Sequence, residues 1–268
     1  MARDITVNVV LLNYNRPQNI PGIIEALRVQ SVPVHITLWH NGVSDHIPGA
    51  DWVVHSSANL GCLARWHIAA QSGCDYVVSL DDDLIPEDPL LFERCIAASE
   101  AAGDSRIIGR SGKRIGSGPR YYRDGTGVSA SKHEDREVDV VKGRFMFVPV
   151  HLLSRVPLYF ENYEGRGDDI WISLWTADRR SAHLLPRFIP GALRDIPDPP
   201  GSNVGLADDP SHSLKRDLII SNLVTAGALP WLSESSRPGS QIQRRLYGIY
   251  LRIGRRIRGY ADHRRRSY

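Results

Sequence analysis

Three acidic residues in a row, Asp81-Asp82-Asp83, follow the short apolar run Tyr76–Leu80. They are the densest concentration of potential chemistry in the chain. The run before them is β-prone and reads as a buried strand. In an open α/β sheet, ligands gather beyond the carboxyl ends of the strands, which is where these carboxylates fall. Adjacent carboxylates repel one another, so a fold that keeps three together answers them with a cation or with a set of donors. An all-oxygen set suits Mg²⁺ or Mn²⁺ carried in on a phosphate-bearing substrate. The competing reading is a solvated acidic turn ahead of a helix starting near Asp88, where negative charge suits the helix dipole.

A second acidic pair, Asp168-Asp169, comes about 85 residues later, after the Gly-rich turn Glu164-Gly165-Arg166-Gly167 and at a helix start. Alone it reads as a helix-capping pair. Beside the first cluster it gains a role, because one set can hold a metal while the other orients or deprotonates an acceptor hydroxyl. Cations that could offset a diphosphate are Arg16 after the first strand, Arg65 in an otherwise apolar helix pattern, and Lys215-Arg216 in the last helix. The bland reading for Arg65 is a surface arginine with its stem along the helix. His67 and His212 read as structural hydrogen-bonders.

The elements that must position these residues are legible as periodicity. Strand patterns at Ile5–Leu12, Val34–Trp39, Trp52–His55 and Tyr76–Leu80 alternate with helical patterns at about Pro21–Gln30, Asn59–Ser72 and Asp88–Ala102. That alternation predicts a mostly parallel sheet. A strand at Arg106–Gly109 follows, then loop or irregular hairpin over 111–136, strands at Val138–Val141 and Phe145–Val150, and a helix from Asp168 to about Asp178. A strand near Leu184–Ile189 precedes a Pro/Gly-rich loop at 190–210, long enough for a lid or a disordered segment, and a helix at about Ser211–Ala226 closes the body.

Composition places the chain among soluble globular proteins, with 42% hydrophobic and 24% charged residues over 268 positions. It shows no signal peptide pattern, no run of the ~20 apolar residues a spanning helix needs, and three cysteines without metal-type spacing. A reducing, cytoplasmic setting is expected. The net charge of +3 hides an asymmetry: residues 244–268 hold nine arginines against Asp262 alone. Without them the chain has 24 basic and 29 acidic residues, a net of −5. In this tail Ile242, Leu246, Ile249, Tyr250, Ile253, Ile257 and Tyr260 recur at steps of three and four between the arginines. That pattern predicts a basic amphipathic helix, with residues 242–266 lying on the anionic inner face of a membrane. Packing on the body and nucleic-acid binding are the weaker readings, the latter because the apolar stripe is regular and aromatics are few.

Several landmarks then stand in order: Asn13-Tyr14-Asn15-Arg16, Trp39-His40-Asn41, Asn59 followed by Arg65, Asp81-Asp82-Asp83, Gly167-Asp168-Asp169-Ile170 and His212-Ser213-Leu214-Lys215-Arg216. Over roughly residues 5–231 the chain resembles the exostosin-like glycosyltransferases, a family with the GT-A fold. The resemblance implies an α/β/α sandwich with a Rossmann-like, mixed but mostly parallel central sheet, in a domain spanning 1–231 with a tail at 232–268. It implies a UDP-sugar donor and Mn²⁺ (or Mg²⁺) held through Asp83 and the pyrophosphate, with Asp81 and Asp82 near the ribose and sugar. Asn13, Tyr14, Arg16 and Asn41 would lie along the uridine side, with Asn59 and Arg65 completing the nucleotide-sugar site. Asp169, supported by Asp168, would face the donor sugar and the acceptor hydroxyl, and Arg216 would reach the pyrophosphate or the reacting face. Transfer of a hexose or N-acetylhexosamine with retention to a hydroxyl acceptor, here one borne on a membrane lipid or envelope precursor, is the expectation. The departures are the missing N-terminal tether and cysteine pair, and Ile219 where relatives carry Cys. The alternatives are a glycoside hydrolase using the two acidic clusters as its carboxyl pair, and a nucleotide-sugar or nucleic-acid binding protein without turnover.

Overall fold

The computed structural model describes residues 5–14, 16–43, 46–116, 120–158, 165–197 and 212–225. The first half runs β1 (Val7–Asn13), α1 (Ile20–Arg28), β2 (Val34–Asn41), β3 (Trp52–Ser56), α2 (Ala64–Ala70), β4 (Tyr76–Leu80), β5 (Leu84–Pro86) and α3 (Leu91–Ala101). The second half runs β6 (Ile108–Gly109), β7 (Ser111–Arg114), α4 (Tyr121–Asp124), β8 (Thr126–Ser129), β9 (Arg136–Val138), β10 (Val140–Val141), β11 (Phe145–Pro149) and α5 (Val150–Leu153). It closes with α6 (Asp168–Thr176), β12 (His183–Leu185), α7 (Ile189–Ala192), β13 (Leu193–Asp195) and α8 (His212–Thr225).

Eight strands form the central sheet in the order β3-β2-β1-β4-β11-β6-β12-β9. The first four are mutually parallel, and β11 runs antiparallel to both β4 and β6. The alternation read from the sequence thus gives a mixed, mostly parallel sheet. Its pleat sorts the core. Val9, Leu11, Tyr76, Val78, Phe145 and Phe147 pack on the α1 and α3 side, with Ile23, Leu27, Phe92 and Cys95. Val10, Val77, Met146 and Val148 pack on the opposite side, with Trp66, Ile170, Leu174 and Ile220. Helices therefore cover both faces, an α/β/α sandwich.

The parallel register brings the carboxyl ends of β1, β2 and β4 to one edge, with Asn13, Asn41 and the acidic triplet standing there. Because β11 is antiparallel and pairs Phe145 with Leu80, its entry segment Gly143-Arg144 arrives at that same edge. The Asp81 N–H donates to the Arg144 carbonyl at 3.1 Å and extends this pairing by one step.

Three expectations need correction. The segment after the triplet is a strand, β5, paired with β13, and the next helix begins only at Leu91, so the acids do not sit on a helix terminus. The helix expected over 59–72 starts at Ala64, because Gly61 turns through a positive φ of 73°. The region expected as structureless between 190 and 197 holds α7 and β13, both too short for periodicity to register. The tail at 232–268, its expected helix and residues 198–211 of the loop lie outside the described residues.

Candidate functional site

The pleat that sorts the core also decides which arginine each acid meets. Side chains alternate along a strand, so Val77, Ser79 and Asp81 turn toward α2 while Val78, Leu80 and Asp82 turn toward α1. On the α2 side, Arg65 Nη1 donates to Ser79 Oγ at 2.6 Å and to Asp81 Oδ1 at 2.7 Å. On the α1 side, Arg16 Nη1 donates to Asp82 Oδ1 at 2.8 Å, the Tyr14 N–H reaches Asp82 Oδ2 at 3.3 Å, and Asn19 holds the Asp82 carbonyl at 2.8 Å. Asp83 breaks away as β5 begins. Arg144 Nε donates to its Oδ1 at 3.0 Å, and Arg16 Nη2 stands 3.8 Å from its Oδ2.

Arg65 also joins the two acidic clusters. Its Nε lies 3.8 Å from Asp168 Oδ2, which accepts the Trp66 indole N–H at 2.8 Å. The first two residues of α6 therefore reach the end of β4 through one guanidinium. Only 2% of Arg65 is exposed, so it is a buried hub and not the surface residue that its place in the sequence suggested. Burial is the largest single influence and works against its charge, but Asp81, Cys62 and Asp168 together outweigh it and hold its pKa well above the ordinary arginine value. Asp169 pairs at short range with Arg216 of α8, and its Oδ1 accepts the Ile170 N–H at 3.0 Å. Asp168 and Asp169 begin α6, yet neither side chain caps the helix from the N-cap position, which Gly167 occupies at φ 89°.

Burial pushes the Asp82, Asp83 and Asp168 carboxyls up from the usual range, opposed at each by its arginine. At Asp83 the neighbouring charge of Asp81 adds to the rise. A ligand that brings positive charge therefore relieves a stored repulsion here. The carboxylates differ in access: Asp81 and Asp83 side chains are 25% and 20% exposed, while Asp82 is 5% exposed. Among the described residues, no three Asp, Glu, His or Cys side chains form a cluster suited to a metal. Two partly exposed carboxylates, Asp81 and Asp83, are a donor set that fits a Mg²⁺- or Mn²⁺-sized cation whose shell is completed by substrate phosphate and water. They do not amount to a dedicated protein cage.

Other sequence-derived candidates occupy the periphery. Asn41 Nδ2 donates to Asn59 Oδ1 at 2.9 Å, and Asn41 Oδ1 accepts the Leu60 N–H at 2.8 Å, so this pair fixes the loop beyond β2. Asn13 is fully buried and hydrogen-bonded to His40 Nδ1 at 2.8 Å; it shapes the edge from beneath. His212 hydrogen-bonds the Tyr122 hydroxyl at 2.7 Å, as a structural hydrogen-bonder would.

Some site residues gave little signal in the sequence. Arg144 stands in the sequence only within Lys142-Gly143-Arg144, the stretch that the resemblance implies is an acceptor-side strand, with no sign there that it pairs with Asp83. Tyr121 of α4 lies under the Arg216 guanidinium, 4.9 Å from ring centroid to Cζ, and among the described residues its hydroxyl and Arg216 Nε are buried without a hydrogen-bond partner. Lys113 Nζ sits 4.7 and 4.6 Å from the Tyr121 and Tyr122 ring centroids, and burial together with the charges of Lys142 and Arg216 lowers its pKa. Nothing local in 111–125 announces this aromatic cage, which forms only when β7 and α4 fold back on α8.

No family model matches the chain, and no curated protein matches it. Solved structures do. S. aureus TarS 1–349 is 14% identical over 68% of this chain and 58% of its own length, with a TM-score of 0.50. A second S. aureus TarS structure is 15% identical over 68% of this chain and 35% of its own length, at 0.49. The mannosyltransferase PcManGT from Pyrobaculum calidifontis, in complex with GDP-Man and Mn²⁺, is 13% identical over 94% of this chain and 81% of its own, at 0.48. The chain thus spans about half the length, or less, of the TarS chains it matches. At such identities the likeness is one of fold, and together with the sheet order it makes this an α/β fold of the GT-A type.

Proposed function

We propose that the chain is a metal-dependent glycosyltransferase that moves a hexose or N-acetylhexosamine from a UDP-sugar to a hydroxyl acceptor with retention. The observation that carries this reading is Arg65, whose single guanidinium gathers Asp81 and Asp168 at the carboxyl edge of the sheet. The ordered landmarks shared with exostosin-like enzymes support it. Asp83 would hold Mn²⁺ or Mg²⁺ brought in with the donor, with Asp81 and Asp82 toward the ribose and sugar, and the ion when bound would offset the negative charge of the leaving diphosphate. Arg16 is 13% exposed at its side chain and stands next to Asp83, placed to share that charge. Asp82 and the Tyr14 backbone shape the ribose side, and the Asn41–Asn59 pair walls the base.

Asp169 faces the donor sugar and the acceptor hydroxyl, with Arg216 fixing its orientation. With no second carboxylate assigned as nucleophile, attack comes from the face the diphosphate leaves, and the leaving phosphate accepts the acceptor proton. Arg65 and Asn13, expected among the nucleotide-sugar residues, are both buried and serve this site by positioning its edge. The acceptor is a membrane-borne glycolipid or envelope precursor, which residues 242–266 bring the enzyme to by lying on an anionic cytoplasmic membrane face. Among the described residues no helix is long and apolar enough to cross a membrane.

The test is a thermal-shift panel of UDP-, GDP- and dTDP-sugars with and without Mn²⁺, followed by NMR of the product anomer. A Mn²⁺-dependent shift with UDP-sugars and a retained anomeric configuration are expected. No metal-dependent shift with any nucleotide overturns the reading.

A further inference from the structure

Arg216 is the cation that meets Asp169, yet that pairing alone does not fix it. Its Nη2 donates to Asp169 Oδ2 at short range, while its Nε has no hydrogen-bond partner among the described residues. A guanidinium is a rigid planar fork, and one end-on bond leaves that plane free to turn. Water does little to hold the rest, because only 8% of Arg216 is exposed. What lies against the plane is the ring of Tyr121, its centroid 4.9 Å from Arg216 Cζ.

The ring is itself held from three directions. The Tyr121 N–H donates to Asp217 Oδ1 at 2.6 Å, so the residue after Arg216 in α8 clamps the start of α4. Tyr122 meets the Tyr121 ring edge to face, 5.1 Å away at 86°. Lys113 of β7 places Nζ over both rings and 3.4 Å from the Tyr122 carbonyl. Tyr121 is 2% exposed, too deeply buried to touch a nucleotide or a sugar. Its hydroxyl has no hydrogen-bond partner among the described residues, which leaves the ring face as the part that acts. Cation–π attraction is strongest where the cation has lost its water, as Arg216 has.

Resting on the glycosyltransferase reading above, we propose that Tyr121 is a positioning residue whose ring face sets the plane of the Arg216 guanidinium and thereby the direction in which Asp169 faces the reacting groups. It makes no contact with substrate. It acts through Arg216, and α8 carries both the arginine and, in Asp217, the clamp on the ring that steadies it.

The test uses the full chain as wild type, Tyr121→Phe, Tyr121→Leu and Tyr121→Met. Methionine is a second non-aromatic side chain that fills irregular space, in case the leucine variant does not fold. The first readout is the Arg216 Nε–H signal in nitrogen–proton correlation NMR, assigned by its loss in Arg216→Lys. A proton over an aromatic face is moved upfield by the ring current. That shift is expected in the wild type and in Tyr121→Phe, and is expected to vanish in Tyr121→Leu and Tyr121→Met. The second readout is Mn²⁺-dependent release of UDP from a UDP-sugar with water in place of the acceptor. In the non-aromatic variants kcat is expected to fall about tenfold with KM for the donor unchanged, and Tyr121→Phe is expected to rescue it. A purely structural role would lower the melting midpoint without separating kcat from KM. An Arg216 signal at its ordinary position in the wild type overturns the inference. So does undiminished kcat without the ring, or an equal loss in Tyr121→Phe. The Mn²⁺-dependent thermal shift with UDP-sugars is read on the wild type in parallel. Its absence while the ring-shifted signal is present overturns the transferase reading and, with it, the role in catalysis. Its presence with an unshifted signal overturns the positioning role alone.

Discussion

Asp83 and Arg65 stand at the same acidic edge, yet replacing them has different expected consequences. Asp83 is partly exposed and sits where burial and Asp81 disfavour its ionised form against the help of Arg144. Asp83→Asn therefore leaves the ligand-free fold within about 1 kcal/mol of wild type, while Mn²⁺-dependent stabilisation by a UDP-sugar disappears and transfer falls by at least about 10²-fold. Arg65 behaves otherwise, since it is buried and serves Ser79, Asp81 and Asp168 together. Arg65→Met strands the buried Asp168 and the partly exposed Asp81 and costs about 3–5 kcal/mol in chemical denaturation. Adding Asp168→Asn to Arg65→Met recovers part of that loss, because one of the stranded charges is gone. A strictly additive double mutant would mean that the 3.8 Å approach carries no coupling.

At the level of elements, the site depends on two loops that touch backbone to backbone. Gly61 and Gly165 both have positive φ, 73° and 82°, and a Cβ on Gly61 would stand 2.4 Å from Gly165 Cα. The Cys62 N–H donates to the Gly165 carbonyl at 3.0 Å, which ties the approach to α2 to the approach to α6. Gly61→Ala is expected to push these loops apart, costing about 1–3 kcal/mol and lowering transfer through the displaced Arg65–Asp168 contact. Gly73→Ala, also at positive φ but with nothing within 4 Å, should cost only the backbone strain and spare activity. A second tie is chemical. His183 of β12 is fully buried, its Nε2 bonded to the Ser173 carbonyl of α6 at 2.7 Å and its Nδ1 accepting the Ile107 N–H at 3.2 Å. Both nitrogens are used by the neutral ring, and burial lowers its pKa to about 4. An unfolded histidine titrates near 6.5, so its contribution is complete above about pH 6.5 and is lost as pH falls toward 4, a swing of about 3 kcal/mol. His183→Gln should flatten the pH dependence of the melting midpoint in that window. The strands and long helices that frame these contacts were legible as periodicity, and Asp81–Asp83 and Asp168-Asp169 were legible as chemistry. The partners were not: Arg65 looks like a surface residue in one dimension, and Asp195 comes to Arg144 only because β13 pairs with β5. Pairings across such distances leave no local pattern for sequence to show.

For the whole molecule, the main asymmetry is between an acidic body and a basic tail. Residues 244–268 carry nine arginines, and the chain without them has a net charge of −5. Repulsion between an acidic body and an anionic surface argues against docking by the body, so any such docking must be the tail's own work. In the proposed membrane role its apolar positions, from Ile242 to Tyr260 at steps of three and four, would supply a face for the acyl boundary and each arginine would add about 1 kcal/mol near an anionic surface. Flotation with phosphatidylglycerol-containing vesicles should therefore recover the full chain, and vesicles of phosphatidylcholine alone should recover far less. Raising ionic strength to about 0.5 M shortens the Debye length to a few ångströms, which should release most of the bound protein. A chain cut after Ser240 should stay at the bottom of the gradient in every condition while keeping its Mn²⁺-dependent response to UDP-sugars. Equal flotation with and without the tail would remove the membrane role from residues 242–266 and move it to the body, where the net charge gives no reason to expect it.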